Sequence, residues 1–268
     1  MVITGLTYNL KFPEQTGPHP WPTRRPLVAA QLREAGAQVV GTQEGHHEQL
    51  REIARDAGYE MVGTGREGGV RGEFCAVLYD PAVLTPLEHG NFWLSDTPEV
   101  PGSVGRGWGN HVIRMATWVR FQIAGGPRLN WLNTHLDNKA ARARQRGAAL
   151  IVERLDRFAA EEPLVVSGDF NCAPDSPPYR TLVAAGLTDA WRAAGTPEHG
   201  TYGGWRAPRP ADDRIDWLLT RGPVAVRSAG IGVLHDGDRW PSDHVPVRVE
   251  LDLGDAVNGS ASSTDPGA

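Results

Sequence analysis

The sequence predicts an α/β fold in which two β-sheets pack face to face and helices cover their outer faces. Three observations carry this expectation. Eight short β-rich or alternating runs recur along the chain, most of them bounded by Gly, Pro, Asn or Asp. Segments of helical period lie between only some of these runs. Several strands therefore follow one another directly, which excludes a simple βαβ alternation.

In chain order, the strand runs are residues 2–9, 38–42, 74–79, 112–123, 128–135, 164–169, 214–220 and 246–253. Residues 23–35 bring Leu27, Ala30 and Leu32 to one helical face, and Gly36 stops them. Residues 46–57 carry Leu50, Ile53, Ala54 and Ala57 on one face, with Gly58 as the residue past the helix end. Residues 139–162 make the longest predicted helix, with Leu150, Ile151, Leu155 and Phe158 facing inward. Ser176-Pro177 opens another, Ser as N-cap and Pro in the first turn.

No internal repeat or linker divides the 268 residues, so 1–253 reads as one domain. Residues 254–268 are small, polar and aperiodic, and read as a disordered tail. No apolar run reaches the roughly 18–20 residues that span a bilayer, which excludes membrane insertion by a helix. The start lacks a basic region and a cleavage site, so the expected compartment is the cytoplasm and the expected state a monomer. Cys75 and Cys172 have neither disulfide-framework nor metal-ligand spacing and read as reduced thiols. A net charge of −5 gives no global positive field for nucleic acid, which favours a small ligand. Nearly all the positive charge is arginine; Lys11 and Lys139 are the only lysines.

Chemistry-bearing side chains cluster where strands end. Asn9 closes the first run, Glu44 the second, and Glu73 precedes the third. His135 lies in Asn133-Thr134-His135-Leu136-Asp137, and Asp169 and Asn171 follow an apolar strand in Ser167-Gly168-Asp169-Phe170-Asn171. Asp216 sits inside a strand, and Asp243 and His244 precede the last one. Any one of these is an ordinary turn former; their number and order are the signal.

Read together, TYN, QE, NTHLD, GDFN, RIDW and SDH resemble, in family order from Thr7 to about Leu253, the endonuclease/exonuclease/phosphatase superfamily. That superfamily includes pancreatic-type deoxyribonuclease, abasic-site endonucleases, sphingomyelinases and deadenylases. The segment 90–98 with Arg114 and Thr117-Trp118 is similar to a bacterial branch whose members are mostly uncharacterised as to substrate. The resemblance implies a two-layer β-sandwich of mostly antiparallel sheets flanked by helices, the deoxyribonuclease-I-like four-layer α/β sandwich. It implies Glu44 as principal ligand of Mg²⁺ or Mn²⁺, with Asn9 beside it and Asp243 completing coordination. Asp169 would orient or deprotonate the attacking water, and Asn171 would hold the phosphate. His244 would contact a phosphoryl oxygen with Asp216 on its ring, His135 would lie across the phosphate with Glu73 paired to it, and Arg114 would add a phosphate contact. Some relatives carry an acidic residue where this chain has Lys11, so metal binding here would rest more heavily on Glu44.

These residue types suit hydrolysis of a phosphate ester. A hard cation on oxygen ligands neutralises the anionic substrate and polarises the P–O bond, while histidines donate to oxygens that gain charge. The expected function is a divalent-metal-dependent phosphoesterase acting on a phosphomonoester or phosphodiester, preferably a small soluble one. A nuclease on DNA or RNA is the alternative, and a non-catalytic binding module on the same fold is a third reading. Among the tryptophans, Trp21, Trp108, Trp205 and Trp240 lie in Gly/Pro-rich stretches and are the candidates for a substrate rim.

Overall fold

The computed structural model describes residues 1–110 and 112–254; from residue 255 on, the expected tail lies outside them. The chain runs β1 (Val2–Asn9), α1 (Trp21–Ala35), β2 (Val39–Gln43), α2 (His47–Ala57), β3 (Glu60–Val62), β4 (Val77–Tyr79), β5 (Leu84–Trp93) and β6 (Met115–Ile123). It continues through β7 (Arg128–His135), α3 (Ala141–Arg154), β8 (Leu164–Asp169), α4 (Pro177–Ala184) and β9 (Thr188–Asp189). It ends with α5 (Ala190–Ala193), β10 (Asp216–Arg221), β11 (Val224–Ile231) and β12 (Val247–Leu253). Two six-stranded sheets result, in the orders β11-β12-β1-β2-β4-β3 and β5-β6-β7-β8-β10-β9.

Among the described residues, pairing is antiparallel except for one parallel pair in each sheet, β1 with β2 and β7 with β8. A parallel pair needs a crossover, and here the crossovers are α1 and α3. Both units expose the carboxyl ends of their parallel strands, where open α/β sheets bind ligands. Asn9, His135 and Asp169 are the last residues of β1, β7 and β8, and Glu44 follows β2 directly.

The period-2 alternation of strands decides which side chains meet between the sheets. Leu6 and Tyr8 of β1 and Val40 of β2 pack under α1 and α2, while Ile3 and Val39 face the other sheet. Leu164 and Val166 of β8 and Leu132 of β7 lie on the α3 side, whereas Val165, Leu129 and Trp131 face inward. The molecule thus has three apolar layers, one between the sheets and one beneath each helical cover. The same parity sends Asn9, His135 and Asp169 into the gap between the sheets.

Along that gap the inner face changes from apolar to polar. Between the Ile3/Val39/Val165 level and the strand ends lies a buried polar seam. Gln43 Nε2 donates to Asn133 Oδ1 at 2.7 Å and Thr7 Oγ1 at 3.1 Å. Asn133 Nδ2 donates to the carbonyls of Thr42 and Ala76, at 2.8 and 2.9 Å. Ser167 Oγ accepts from Trp131 Nε1 at 2.8 Å and donates to Asn133 Oδ1 at 3.1 Å. Gly41 is required here, because a Cβ would fall 2.3 Å from Ser167 Oγ and 2.6 Å from Asn133 Oδ1.

Some expectations change. α1 buries Trp21, Arg24, Val28, Ala29, Gln31 and Leu32, while Leu27 and Ala30 are half-buried. Its inward face is rotated because Arg24 and Gln31 find partners inside; Gln31 Oε1 accepts from Tyr8 Oη at 2.7 Å. α3 ends at Arg154 in a 3-10 turn over Leu155–Arg157, since the chain must turn back to enter β8. Ser176 occupies the N-cap of α4 without a side-chain capping bond. Cys75 and Cys172 are both free thiols. No helix of the described residues is long and apolar enough to cross a membrane.

Candidate active site

The two sheets meet chemically at Asp169. Its Oδ2 accepts from Asn9 Nδ2 of the opposite sheet at 2.9 Å, and Asn9 Nδ2 also reaches Glu44 Oε1 at 3.0 Å. Two imidazoles approach the same oxygen: His135 Nε2 at 3.4 Å and His244 Nε2 at 3.8 Å. Oδ1 of Asp169 accepts from the backbone N–H of Asn171 at 2.9 Å. Asn171 turns at φ 50° and donates its amide to the Leu136 carbonyl at 3.0 Å. Glu44 also has a left-handed backbone, at φ 61°. This is an uncommon conformation for a non-glycine residue, and it turns the carboxylate back over the strand end.

His244 is held from behind. Its Nδ1 faces Asp216 Oδ2 at 2.9 Å, and Thr201 Oγ1 donates to that same oxygen at 2.6 Å. A carboxylate only accepts, so the Nδ1 proton stays on the ring. Burial opposes charge on this imidazole, but Asp216, by charge and hydrogen bond, and then Asp169 and Asp243 overcome it and raise its pKa to about 10. His244 is therefore an imidazolium, with its Nε2 3.8 Å from Asp169 Oδ2. Ser242 Oγ ties this segment to the first strand by donating to the Asn9 carbonyl at 2.7 Å.

His135 is arranged in the opposite sense. Its Nδ1 lies 2.9 Å from Arg114 Nη1. A guanidinium only donates, so Nδ1 accepts and the ring proton sits on Nε2, the nitrogen 3.4 Å from Asp169 Oδ2. Burial, followed by the charge of Arg114, holds the His135 pKa well below its ordinary value. One imidazole is thus neutral and the other charged, and their Nε2 atoms lie 3.4 and 3.8 Å from one carboxylate oxygen.

Glu73 does not pair with His135 as the resemblance implied. Arg66 Nη1 takes its Oε2 at 2.6 Å, and Arg114 Nη1 lies 3.8 Å from the same atom. Arg114 stands between the two, 7% exposed, with its Nη1 shared between the ring and the carboxylate. Arg66 and Thr201 join the site without any motif in the sequence to mark them. Arg66 belongs to a glycine-rich turn and Thr201 to a glycine-flanked loop, and neither position carries a spacing signal.

Burial and then the charge of Asp216 push the Asp169 pKa up to about 7. Asp216 Oδ1 is buried without a hydrogen-bond partner among the described residues. Asp243 and Glu44 add two further carboxylates, which Lys11 Nζ approaches to 3.4 and 3.9 Å. Hard oxygen donors crowded closely enough to repel one another fit a divalent cation. Ligand atoms of Asp169, Asp216 and His244 lie within 4.8 Å of one another, which makes this trio one geometric candidate for an ion. The resemblance implied Glu44, Asn9 and Asp243 instead.

The rim differs from the expectation. Trp21 and Trp108 are 4% and 5% exposed and belong to the packed interior. Trp205 and Trp240 are half-buried, stacked on His19 at 3.8 Å and His235 at 4.6 Å. Tyr202, which is exposed, tilts against the His244 ring with centroids 4.9 Å apart.

Residues 6–244 match the model of the Endonuclease/Exonuclease/phosphatase family. An endonuclease/exonuclease/phosphatase structure from Bacteroides vulgatus is 28% identical, covers 95% of this chain and 100% of its own, and superposes with a TM-score of 0.88. A mannosyl-6-phosphatase from Bacteroides thetaiotaomicron is 28% identical over 94% of this chain and 100% of its own, with a TM-score of 0.85. The human Nocturnin catalytic domain, 18% identical over 94% and 95%, shares the fold with a TM-score of 0.75. No curated protein matches the sequence. On the family match and the shared architecture, the chain belongs to the Endonuclease/Exonuclease/phosphatase family.

Proposed function

We propose that residues 1–253 act as a divalent-metal-dependent phosphoesterase on a small phosphorylated substrate, with sugar phosphate monoesters as the first class to test. The observation that carries this reading is the convergence on Asp169 Oδ2 of Asn9 from one sheet and of two differently protonated imidazoles, His135 and His244. The similarity to a mannosyl-6-phosphatase favours a sugar phosphate, and the net charge of −5 argues against a polyanion.

Glu44, with Asn9 beside it, would hold Mg²⁺ or Mn²⁺; Asp243, expected to complete the coordination, faces the Lys11 ammonium at 3.4 Å. The Glu44 side chain is 17% exposed, against 1–2% for Asp216 and Asp169, and a hydrated Mg²⁺ that keeps several waters suits the more open position. Bound there, the ion supplies charge neutralisation and polarisation of the P–O bond. Asp169 orients a water for in-line attack and accepts its proton, for which a pKa near 7 is suited. His244, as an imidazolium, donates Nε2–H to a phosphoryl oxygen, while Asp216 holds its tautomer. His135 donates a second Nε2–H without adding charge. Asn171 positions the phosphate, and Glu73 and Arg114 hold His135 in place.

The test is a hydrolysis panel of hexose 6-phosphates, p-nitrophenyl phosphate, its bis-ester and an oligonucleotide, each with Mg²⁺ and with excess chelator. Metal-dependent cleavage of a monoester is expected, reduced by at least about 10²-fold in Glu44→Gln. Full activity in excess chelator would overturn the reading. Strongly salt-dependent cleavage of the oligonucleotide alone would move the assignment to a nuclease.

A further inference from the structure

Lys11 places a positive charge among the carboxylates, and its own backbone fixes it there. The ammonium lies 3.4 Å from Asp243 Oδ2 and 3.9 Å from Glu44 Oε2. The residue adopts φ 56°, a left-handed conformation. Its N–H donates to Asn9 Oδ1 at 3.0 Å, and its carbonyl accepts from Arg24 Nη2 at 3.1 Å and Gln49 Nε2 at 2.9 Å. Arg24, 1% exposed, also donates to the carbonyls of Leu10, Phe12, His19 and Pro241. The turn that carries Lys11 is therefore tied to the segment entering Ser242, Asp243 and His244. This is a built position; a surface lysine drifting over acidic neighbours would have no such ties.

Resting on the metal reading above, we propose that Lys11 is a resident monovalent cation that fills a second cation position, so that the protein takes up one divalent ion per chain. A protonated ammonium has no lone pair and cannot ligate a metal, yet it neutralises a carboxylate as a compact point charge. Asp243, the nearer partner, is committed to Lys11, which leaves Glu44 and Asn9 to the divalent ion. A second divalent ion on Asp243 would meet the ammonium at close range and be repelled. The same ammonium offers the substrate phosphate a fixed positive charge.

The experiment counts Mn²⁺ bound to the whole chain, by calorimetric titration together with native mass spectrometry. Wild type is expected to saturate at one ion. Lys11→Asp, a residue that tolerates the left-handed backbone, is expected to take up two. Lys11→Asn keeps the turn but removes the ammonium, and should lower the Kd of the first ion by about tenfold. Two ions in wild type would overturn the proposal and leave the metal reading intact. A folded Lys11→Asp that holds one ion, or an unchanged Kd in Lys11→Asn, would overturn it as well. If Lys11→Asp fails to fold by circular dichroism, the wild-type count and Lys11→Asn decide. No bound ion in wild type would remove the metal reading and this proposal together.

Discussion

Asp216→Asn removes one charge from the site and almost no volume. In the native protein Asp216 Oδ2 takes the Nδ1 proton of His244 at 2.9 Å and the Thr201 hydroxyl at 2.6 Å. Burial alone would lower the His244 pKa; the carboxylates carry it to about 10 from an ordinary 6.5, with Asp216 contributing most. An amide keeps one hydrogen bond but not the charge, so the ring becomes neutral near pH 7.5. At about 1.4 kcal/mol per pH unit, the difference is worth on the order of 5 kcal/mol at most. The share expressed in catalysis is one donor to a developing oxyanion, about 3–4 kcal/mol, or roughly 10²–10³ in rate. The assay is kcat on p-nitrophenyl phosphate with Mg²⁺ between about pH 6 and 9, alongside NMR titration of the His244 ring in the metal-free protein. The expected result is a fall of that size in kcat, little change in KM, and a ring that titrates below about pH 7. A folded variant within about threefold of wild-type kcat, or a ring still titrating near pH 10, would refute the reasoning.

Two further outcomes follow from the same geometry. Asp169 and His244, raised to about 7 and about 10, bind protons more tightly folded than unfolded. The stability this gives is full at low pH, and is lost as pH rises through about 7 for Asp169 and through about 10 for His244. Metal-free protein should therefore lose Tm between about pH 7 and 10 in calorimetry with chelator, above the range in which the lowered pKa of His135 acts in the opposite sense; a Tm that climbs across that window contradicts it. Gly41→Ala should cost about 1–3 kcal/mol in urea denaturation, because its methyl would press on Ser167 and Asn133. An unchanged midpoint would mean that the two sheets are not closely fitted there.

The strands legible in the sequence are the eight interior ones, and the four that escaped it are the sheet edges, β11, β3, β5 and β9. Interior strands bury both faces and so carry dense β-branched and aromatic patterns. Edge strands β5 and β11 break their alternation with bulges, at Pro86/Glu88 and at Val226/Ser228. β3 and β9 span only 3 and 2 residues, too short for a period. At the site, Asn9, Glu44, His135, Asp169 and His244 were legible because strand ends carry them in short motifs. Their partners were less so. The choice of Arg114 over Glu73 by His135 depends on which loops meet in space, and so does the burial of Arg24 among five carbonyls. No spacing along the chain encodes either.

The hydrogen-bonded seam of Gln43, Asn133, Ser167 and Trp131 sets a datum for everything above it. Aliphatic layers tolerate a small lateral slip, because one methyl is much like the next. Amides and hydroxyls buried together do not, since each donor has few acceptors within reach and an unmet one is costly. Asn9 and Glu44 ride on one sheet and His135, Asp169 and Asp216 on the other. A shear of about 1 Å between reacting groups can cost two orders of magnitude in rate. The midplane is thus an indexing device: it keeps two separately built half-sites in mutual alignment, much as a dowel pin aligns the halves of a mould.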